Sequence, residues 1–331
     1  MKLSIVIPCY NEEQYIEQCI NSILDNDYPK TEYEIIIVDG GSYDKTLKIL
    51  DEIKENIPVS LKVLHNPMQI PPTAMNIGIK KARGELIMRL DMHTTYAKNY
   101  ISTLLKWKED LEADNIGAVT KTDVLNENNV SIAIKKILAH PFGVGGSDFR
   151  VGIKEPKQVD TVPFGCYDRQ LLLDLGGYDE RLRRNQDIEL NKRLIASGKS
   201  IFLIPYTHCT YFARESWSKL AKNNFDNGKW NLITAYYTKN FASLSLRHFV
   251  PLFFVLSLVI PALISLMFWP FILLSCLSFG LYFLTLVIVI SKMDRKGTSF
   301  FHLLWTFLVL HISYGLGSFV GLFYLSKLFK E

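Results

Sequence analysis

Three short stretches combine carboxylates, an imidazole and glycines at spacings that suit metal or proton chemistry. In IMRLDMHTTY an apolar run ends on Asp91, and His93 follows two residues later. One carboxylate and one imidazole could hold a divalent cation whose other ligands are phosphate oxygens. Mg²⁺ favours oxygen throughout, whereas Mn²⁺ accepts imidazole more readily, so the pair suits Mn²⁺. Taken alone, Asp91 reads better as a cap and His93 as a loop residue. The company of the other two stretches turns the reading towards a metal. In IIIVDGGSYDKT, Asp39 closes an apolar run, and glycines 40 and 41 let a ligand come close to the backbone. A carboxylate there can accept from a ribose hydroxyl or a base N–H, while Ser42 or Asp44 caps the helix that follows. In RRNQDIELNKRL, Asn185 can cap a helix and put Asp187 in its first turn, where the helix dipole favours an ionised carboxylate. Beside a sugar hydroxyl such a group is a general base; otherwise it serves the dipole alone. Glu189, two residues on, faces elsewhere on the helix.

The elements that position these residues follow from hydrophobic spacing. LSIVIP is a short β-branched run, and EEQYIEQCINSIL carries apolar residues at helical intervals. YEIIIVD predicts a buried strand, SYDKTLKILDEIK a helix, LKVLH a strand, PTAMNIGIKKAR a helix and GELIMRLD a fourth strand. Strands alternating with helices imply an α/β domain with a parallel sheet. Ligands in such sheets bind at the carboxyl ends of the strands. Those ends are residues 8–11, 39–42 and 91–93, so three polar clusters share one crevice. Residues 98–215 are less regular. GVGGSDF (143–149) reads as a loop, VDTVPFGCY as a strand and turn, NQDIELNKRLIASG as a helix stopped by Gly, and SIFLIP as a strand. No GxGxxG follows the first strand, and no phosphate-binding P-loop is present.

Hydrophobic residues make up 48% of the 331, and the excess is concentrated after Arg247. Charges vanish over 249–290, and a span needs roughly 20 apolar residues. The pattern predicts a catalytic domain at 1–214, an amphipathic interfacial segment at 215–247, and a membrane domain at 248–331. Its spans are expected at about 249–269, 271–290 and 300–325, with a turn near Trp269 and Pro270. The third contains His302, His311 and a GxxxG spacing from Gly317 to Gly321, a helix-packing face. The basic loop SKMDRKG points to the cytoplasm. Lys327 and Lys330 argue for the same side, which three full spans cannot satisfy and a re-entrant third segment would. A net charge of +4 without a basic stripe gives no nucleic-acid footprint. Five scattered cysteines fit free thiols in a reducing compartment. MKLSIVIPCY runs into a strand with no cleavage site, which places the soluble part in the cytoplasm at the inner face of the cell membrane.

Together the stretches resemble glycosyltransferase family 2, the inverting enzymes with a GT-A nucleotide-diphospho-sugar transferase fold. SIVIPCYNEEQYIEQCINSIL looks like that family's opening strand and helix, and EIIIVDGGSYDKT like its nucleotide-binding turn. TAMNIGIKKARGELIMRLDMH matches the run into its metal motif, and VPFGCYDRQLLLDLGGYDERLRRNQDIELNKRLIASG its acceptor side. The likeness covers roughly residues 1–210, in order. It is nearer still to succinoglycan-type exopolysaccharide glucosyltransferases, which carry a similar D-x-H, a similar NQD and a C-terminal SYGLG like that at 313–317.

The resemblance implies roles. Pro8, Tyr10 and Glu12 line the nucleotide pocket, Asp39 binds uracil or its ribose, and Asn76, Arg83 and Gly84 shape the pocket behind it. Asp91 touches ribose and metal, and His93 replaces a second aspartate as ligand to Mn²⁺ or Mg²⁺. Asp187 is the catalytic base, with Gly165, Cys166, Asp179 and Glu180 on the acceptor side. The implied reaction moves one sugar, glucose by resemblance, from a UDP-sugar to a lipid-linked saccharide on polyprenyl diphosphate, within a polysaccharide-synthesis complex. Two departures matter. Gly40 stands where the family often has a second acid, and the QxxRW motif of processive members is absent, NGKW (227–230) being its nearest remnant. A polymerising synthase is thereby disfavoured. Transfer directly to a polyprenyl phosphate is a second enzymatic reading, and a non-catalytic nucleotide-sugar-binding scaffold is a reading from another class.

Overall fold

The computed structural model describes residues 1–238 and 246–328. The end of the expected interfacial segment (239–245) and Lys330 lie outside the described residues. The chain forms two compact units, one of Met1–Lys121 with Asp148–Phe212, the other of Thr122–Ser147 with the residues from Ala213 onward. Residues 122–147, expected within the catalytic domain, thus pack with the C-terminal helices.

In the first unit, β1 (Leu3–Cys9), α1 (Ile16–Leu24), β2 (Tyr33–Asp39), α2 (Thr46–Asn56), β3 (Ser60–His65), α3 (Pro71–Lys81) and β4 (Leu86–Arg89) alternate as the spacing predicts. The strands β2 and β4 are buried throughout, which is why they read as unbroken apolar runs. Helix α1 buries Ile16, Cys19, Ile20 and Ile23, an i, i+3, i+4, i+7 stripe. Helix α3 opens on Pro71 and Pro72, whose fixed φ suits a first turn, and closes on Lys80 and Lys81. There follow β5 (Thr94–Tyr96), α4 (Tyr100–Asp110) and β6 (Asn115–Asp123); α5 (Asn129–Leu138) and α6 (Pro141–Val144) belong to the second unit. Then come α7 (Asp148–Val151), β7 (Lys157–Gln158), β8 (Cys166–Asp168), α8 (Arg169–Asp174), α9 (Gln186–Ala196) and β9 (Ile201–Phe212).

Among the described residues these strands form one nine-stranded sheet in the order β3-β2-β1-β4-β8-β6-β9-β5, with β7 also on β9. The four strands from β3 to β4 are parallel. Beyond β4 the pairings of β8 with β4 and β6, and of β9 with β5 and β7, are antiparallel, so the sheet is mixed where a mostly parallel one was expected. The 3-2-1-4 order places a topological switch between β1 and β4. Two core clusters cover the faces, one around Leu3, Ile5 and Ile7 with α1 and α4, the other around Val6, Ile36 and Ile87 with α3 and α9.

One buried carboxylate ties the amino ends of these strands together. The Glu34 side chain is 0% exposed and meets Lys62 Nζ at 2.9 Å and Arg83 Nε at 3.0 Å. It also accepts from Ser4 Oγ and the Arg83 amide, each at 2.8 Å. Burial pushes its carboxyl up, but the hydrogen bonds from Lys62, Arg83 and Ser4 outweigh burial and hold it below its ordinary value. Its stabilisation is therefore present above the unfolded carboxyl value of about 4.3 and is lost as pH falls through the lower folded value. Glu34→Ala leaves the Ser4 hydroxyl and the Arg83 N–H without their acceptor, while Lys62 and Arg83 still reach solvent, and should cost about 1–3 kcal/mol, read by denaturant unfolding at neutral pH. The deficit should shrink on acidification; an equal deficit at pH 3 would contradict the linkage.

The second unit adds α10 (Trp217–Thr238), α11 (Val250–Ile264), α12 (Ile272–Ser291) and α13 (Phe300–Leu328) to α5 and α6. Helix α13 packs against α5, α10, α11 and α12. Its glycines permit this. A Cβ on Gly317 would strike the Phe225 carbonyl of α10, one on Gly321 would lie 2.8 Å from the Lys229 carbonyl oxygen, and one on Gly315 would strike Pro251 of α11. Gly228 of α10 meets the Tyr314 carbonyl in return. Small residues let helix backbones approach closely. The expected interfacial segment is thus a helix whose buried residues, Leu220, Asn224, Asn231 and Leu232 among them, lie along this contact. Among the described residues, two helices are long and apolar enough to cross a membrane, Trp269–Ser291 with 23 residues and Phe300–Phe323 with 24. The first expected span differs. Helix α11 has 15 residues, roughly 22 Å of helix against the 30 Å of a bilayer core. It ends before a turn at 265–268 and a 3-10 turn at Trp269–Phe271. His311 is satisfied by Tyr282 Oη at 2.9 Å and the Phe142 carbonyl at 3.0 Å. All five cysteines are free, four of them buried.

Candidate active site

The crevice opens where β1 and β4 part. The Val6 carbonyl accepts from Leu90 N. Pro8, two residues on, faces the same side and has no N–H to offer, so pairing with β4 stops and the strand ends splay. Asn11 then turns the chain with φ 54°, a left-handed conformation that asparagine tolerates. Tyr10 stays 48% exposed and lies over Gly40, where a Cβ would come to 3.4 Å from its ring.

Asp39 is buried and organises its own turn. Its carboxylate accepts from Gly41 N at 2.8 Å, Ser42 N at 3.0 Å and Ser42 Oγ at 2.5 Å. Ser42 Oγ in turn accepts from Asn11 N at 2.8 Å, which joins the β1 and β2 loops. Asp44 accepts from Thr46 N, the first amide of α2, at 3.0 Å, while the cap position itself is Lys45, without a side-chain cap bond.

Asp91 follows the end of β4. Its backbone is clamped, its N–H donating to Tyr96 Oη at 2.8 Å and its carbonyl accepting from that hydroxyl at 3.1 Å. His93 stands on the short link to β5, which pairs with β9 so that Thr94 lies opposite Tyr211. The imidazole sits between the rings of Tyr15 and Tyr211, at 6.2 and 5.2 Å between centroids. Its Nδ1 is 3.3 Å from Glu12 Oε1. Glu12 thus meets the histidine, a contact the sequence did not suggest. A carboxylate at Nδ1 favours the tautomer that leaves the lone pair on Nε2.

Asp187 lies in the first turn of α9, half open with 35% of its side chain exposed, and its Oδ2 is 3.7 Å from Arg89 Nη1 on β4. Glu189 is turned inward at 7% exposure and binds Arg193 with both oxygens, at 2.6 and 2.8 Å. Asn185 occupies the cap position in a left-handed conformation without a side-chain cap bond, so its part is the turn, not the hydrogen bond expected of it. Burial works against the Arg89 charge, but Tyr178, Asp187 and Asp91 beside it outweigh burial and raise its pKa.

The other expected site residues have partners of their own. Arg83 and Gly84 stand at the amino end of β4, on Glu34 and Ser4, at the sheet edge opposite Pro8, Asp39 and Asp91. They precede a strand whose far end forms the crevice, so they hold the sheet and do not line a donor pocket. Asn76 of α3 clamps the loop after α8, donating to the Tyr178 carbonyl at 2.9 Å and to Glu180 at 2.7 Å, and accepting from Tyr178 N. Arg193 holds the same loop through the Leu175 and Gly177 carbonyls. Asp179 is drawn to Arg181, whose guanidinium keeps its carboxyl below the ordinary range. Cys166 is fully buried in the core, with burial pushing its thiol up to about 12, so it faces no acceptor. Gly165 is there for packing, since a Cβ would crowd Asn115 and Tyr167. Arg89, Tyr178 and Tyr211 are the site residues that sequence reasoning missed.

Among the described residues no group of three His, Cys, Asp or Glu is arranged to hold a metal by itself. Asp91 and His93, the latter oriented by Glu12, suit a cation whose shell is completed by a ligand's phosphate oxygens.

The model of the family described as glycosyl transferase family 2 matches residues 4–157. The Methanococcus voltae dolichyl N-acetyl-alpha-D-glucosaminyl phosphate 3-beta-D-2,3-diacetamido-2,3-dideoxy-beta-D-glucuronosyltransferase is 32% identical over 271 residues, 79% of this chain and 82% of that protein. The succinoglycan biosynthesis protein ExoA of Rhizobium meliloti is 27% identical over 84% of each chain. In fold, the chain is similar to the mannosyltransferase PcManGT of Pyrobaculum calidifontis, solved with GDP-Man and Mn²⁺. The TM-score is 0.60 at 14% identity, over 96% of this chain and 86% of that one. With a GT-A sheet beneath the crevice and relatives of this length and order, the chain is a glycosyltransferase and belongs to glycosyltransferase family 2.

Proposed function

We propose that the protein is a metal-dependent inverting transferase that moves one sugar from a UDP-sugar to a lipid-linked saccharide. What supports this is the gathering of Asp39, Asp91 and the Glu12–His93 pair at the carboxyl ends of β1, β2 and β4, with Asp187 of α9 held 3.7 Å from Arg89 of β4. Tyr10 would stack on the nucleotide, and Asp39, already holding its turn, would present its remaining lone pairs to the base or ribose. Asp91 and His93 would hold a divalent cation, Mn²⁺ or Mg²⁺, which neutralises charge on the departing diphosphate. Asp187 would take the proton from the acceptor hydroxyl as that oxygen attacks the anomeric carbon. A single displacement inverts configuration. One sugar per acceptor, glucose in the first instance, is the expected product, because the chain lacks QxxRW. Asp179 and Glu180 lie on the loop clamped by Asn76 and Arg193, a rigid rim for an acceptor.

Two helices of spanning length support attachment to the cell membrane. The first unit would work at the cytoplasmic face, where lipid-linked saccharides for exopolysaccharide or other surface glycans are extended. The name of the Methanococcus relative describes transfer to a dolichyl phosphate-linked sugar, which favours this acceptor class. Direct transfer to a polyprenyl phosphate is the second reading. The test is to incubate the detergent-solubilised full chain and Mn²⁺ with UDP-glucose or other nucleotide sugars. Acceptors are a polyprenyl diphosphate saccharide, a polyprenyl phosphate or none. The expected result is UDP release and one added sugar only with the saccharide, with inverted anomeric configuration by NMR. Product on the bare phosphate would select the second reading. Binding of a nucleotide sugar without release under any acceptor would replace both with a scaffold.

A further inference from the structure

Strand β4 sends Leu86 and Met88 to one core cluster and Ile87 to the other. By the two-residue period of a strand, Arg89 falls on the Ile87 face, where Tyr167, Tyr178 and Leu190 pack. That position calls for an apolar residue. It holds a guanidinium that is 8% exposed, with an Nε that has no hydrogen-bond partner and an Nη1 3.7 Å from Asp187 Oδ2. A buried cation is tolerated where an opposite charge compensates it, and departures from local pattern concentrate at functional sites.

We infer that Arg89 is the positioning residue for Asp187, fixing the base carboxylate at the crevice from the strand that also delivers Asp91. The inference rests on the reading of Asp187 as base. At 3.7 Å the attraction persists, but among the described residues no hydrogen bond ties up the Asp187 Oδ2 lone pair that must accept the proton. The arrangement also couples the two halves of the reaction. Asp91, on the donor side, stands two residues beyond Arg89, and Asp187 reaches Arg89 from the acceptor-side helix. Through Arg89, Asp187 is held against the same strand that leads to Asp91.

The experiment compares Arg89→Met, Arg89→Lys, Asp187→Asn and the double variant Arg89→Met/Asp187→Asn in the full chain. It reads kcat, donor affinity and Tm. Arg89→Met should lower kcat about tenfold to a hundredfold, the scale for a misplaced group, with donor affinity nearly unchanged. Arg89→Lys keeps the charge and should recover part of that loss. On the Asp187→Asn background, removing Arg89 should cost no further turnover, because there is no base left to place. The inference is overturned if folded Arg89→Met keeps wild-type kcat, if the loss appears in donor affinity alone, or if the full loss persists on the Asp187→Asn background. Should Arg89→Met not fold, Arg89→Lys decides. A reduced kcat at unchanged Tm and donor affinity supports positioning, and wild-type kcat overturns it. Failure of the base reading itself looks different: Asp187→Asn alone would then turn over normally.

Discussion

Asp187→Asn is expected to lower kcat by about 10²–10⁴-fold, the contribution of a positioned general base, while nucleotide-sugar affinity stays within a small factor. Asparagine keeps the size and the helix-start position of the side chain but cannot take a proton. Donor binding is expected to survive because the groups assigned to it, on the β1, β2 and β4 ends, do not touch Asp187 in the described structure. The contrast with Glu189, two residues on, makes the prediction specific. Glu189 is buried and holds Arg193, which in turn holds the Leu175 and Gly177 carbonyls. Glu189→Gln should therefore lower stability before it lowers chemistry. Single-turnover measurements with saturating donor separate the two effects. Near-normal turnover in Asp187→Asn would remove Asp187 from the mechanism and leave the crevice without an assigned base.

The parts of this site that the sequence makes legible are local ones. Asp39 and Asp91 each close an apolar run, so the strand and its polar end are read in one step, and the sheet edge follows from parallel topology. Asp187 and Glu189 could be told apart because two residues on a helix turn a side chain by more than half a circle. What was misplaced shows the same logic neglected. Gly84 precedes β4 and Asp91 follows it, so by strand direction alone Arg83 and Gly84 belong at the opposite edge, with Glu34. Adjacency to a motif in the chain was taken for adjacency in space. Arg89 was passed over because a single arginine in an apolar run carries no periodic signal, and its partner lies 98 positions away on α9. Tyr211 and the upper half of β9 were missed for a related reason. A strand pairing with the three-residue β5 is set by tertiary contact, and SIFLIP alone predicts a strand that ends at its proline, where β9 runs on to Phe212. In the helical part, the mixed aromatic and basic residues of α10 predict a helix lying on a bilayer; that Gly228, Gly317 and Gly321 let it lie close along α13 is a tertiary feature the spacing does not carry.

His93→Ala is expected to abolish the gain in donor affinity that Mn²⁺ gives over EDTA, a loss on the order of 10²-fold, read by calorimetry with UDP-sugar and no acceptor. The prediction follows from the chemistry of the donor set. Asp91 alone offers a cation one carboxylate, and among the described residues no third acidic, histidine or cysteine side chain completes a cage. A cation would depend on the imidazole and on the diphosphate it arrives with. Glu12→Gln probes the same site from behind. An amide at 3.3 Å from Nδ1 can donate as well as accept, so it no longer favours one tautomer. Loss of such an orienting carboxylate costs about 10–100-fold in metal affinity, less than loss of the ligand itself. The two variants should therefore rank, with Glu12→Gln between wild type and His93→Ala in Mn²⁺ and all three alike in EDTA. If His93→Ala kept the full Mn²⁺ gain while Asp91→Ala lost it, the imidazole would serve the diphosphate as a hydrogen-bond donor and the metal would rest on Asp91 and phosphate alone. If all variants weakened equally in EDTA, Glu12 and His93 would act on the nucleotide and not through a cation.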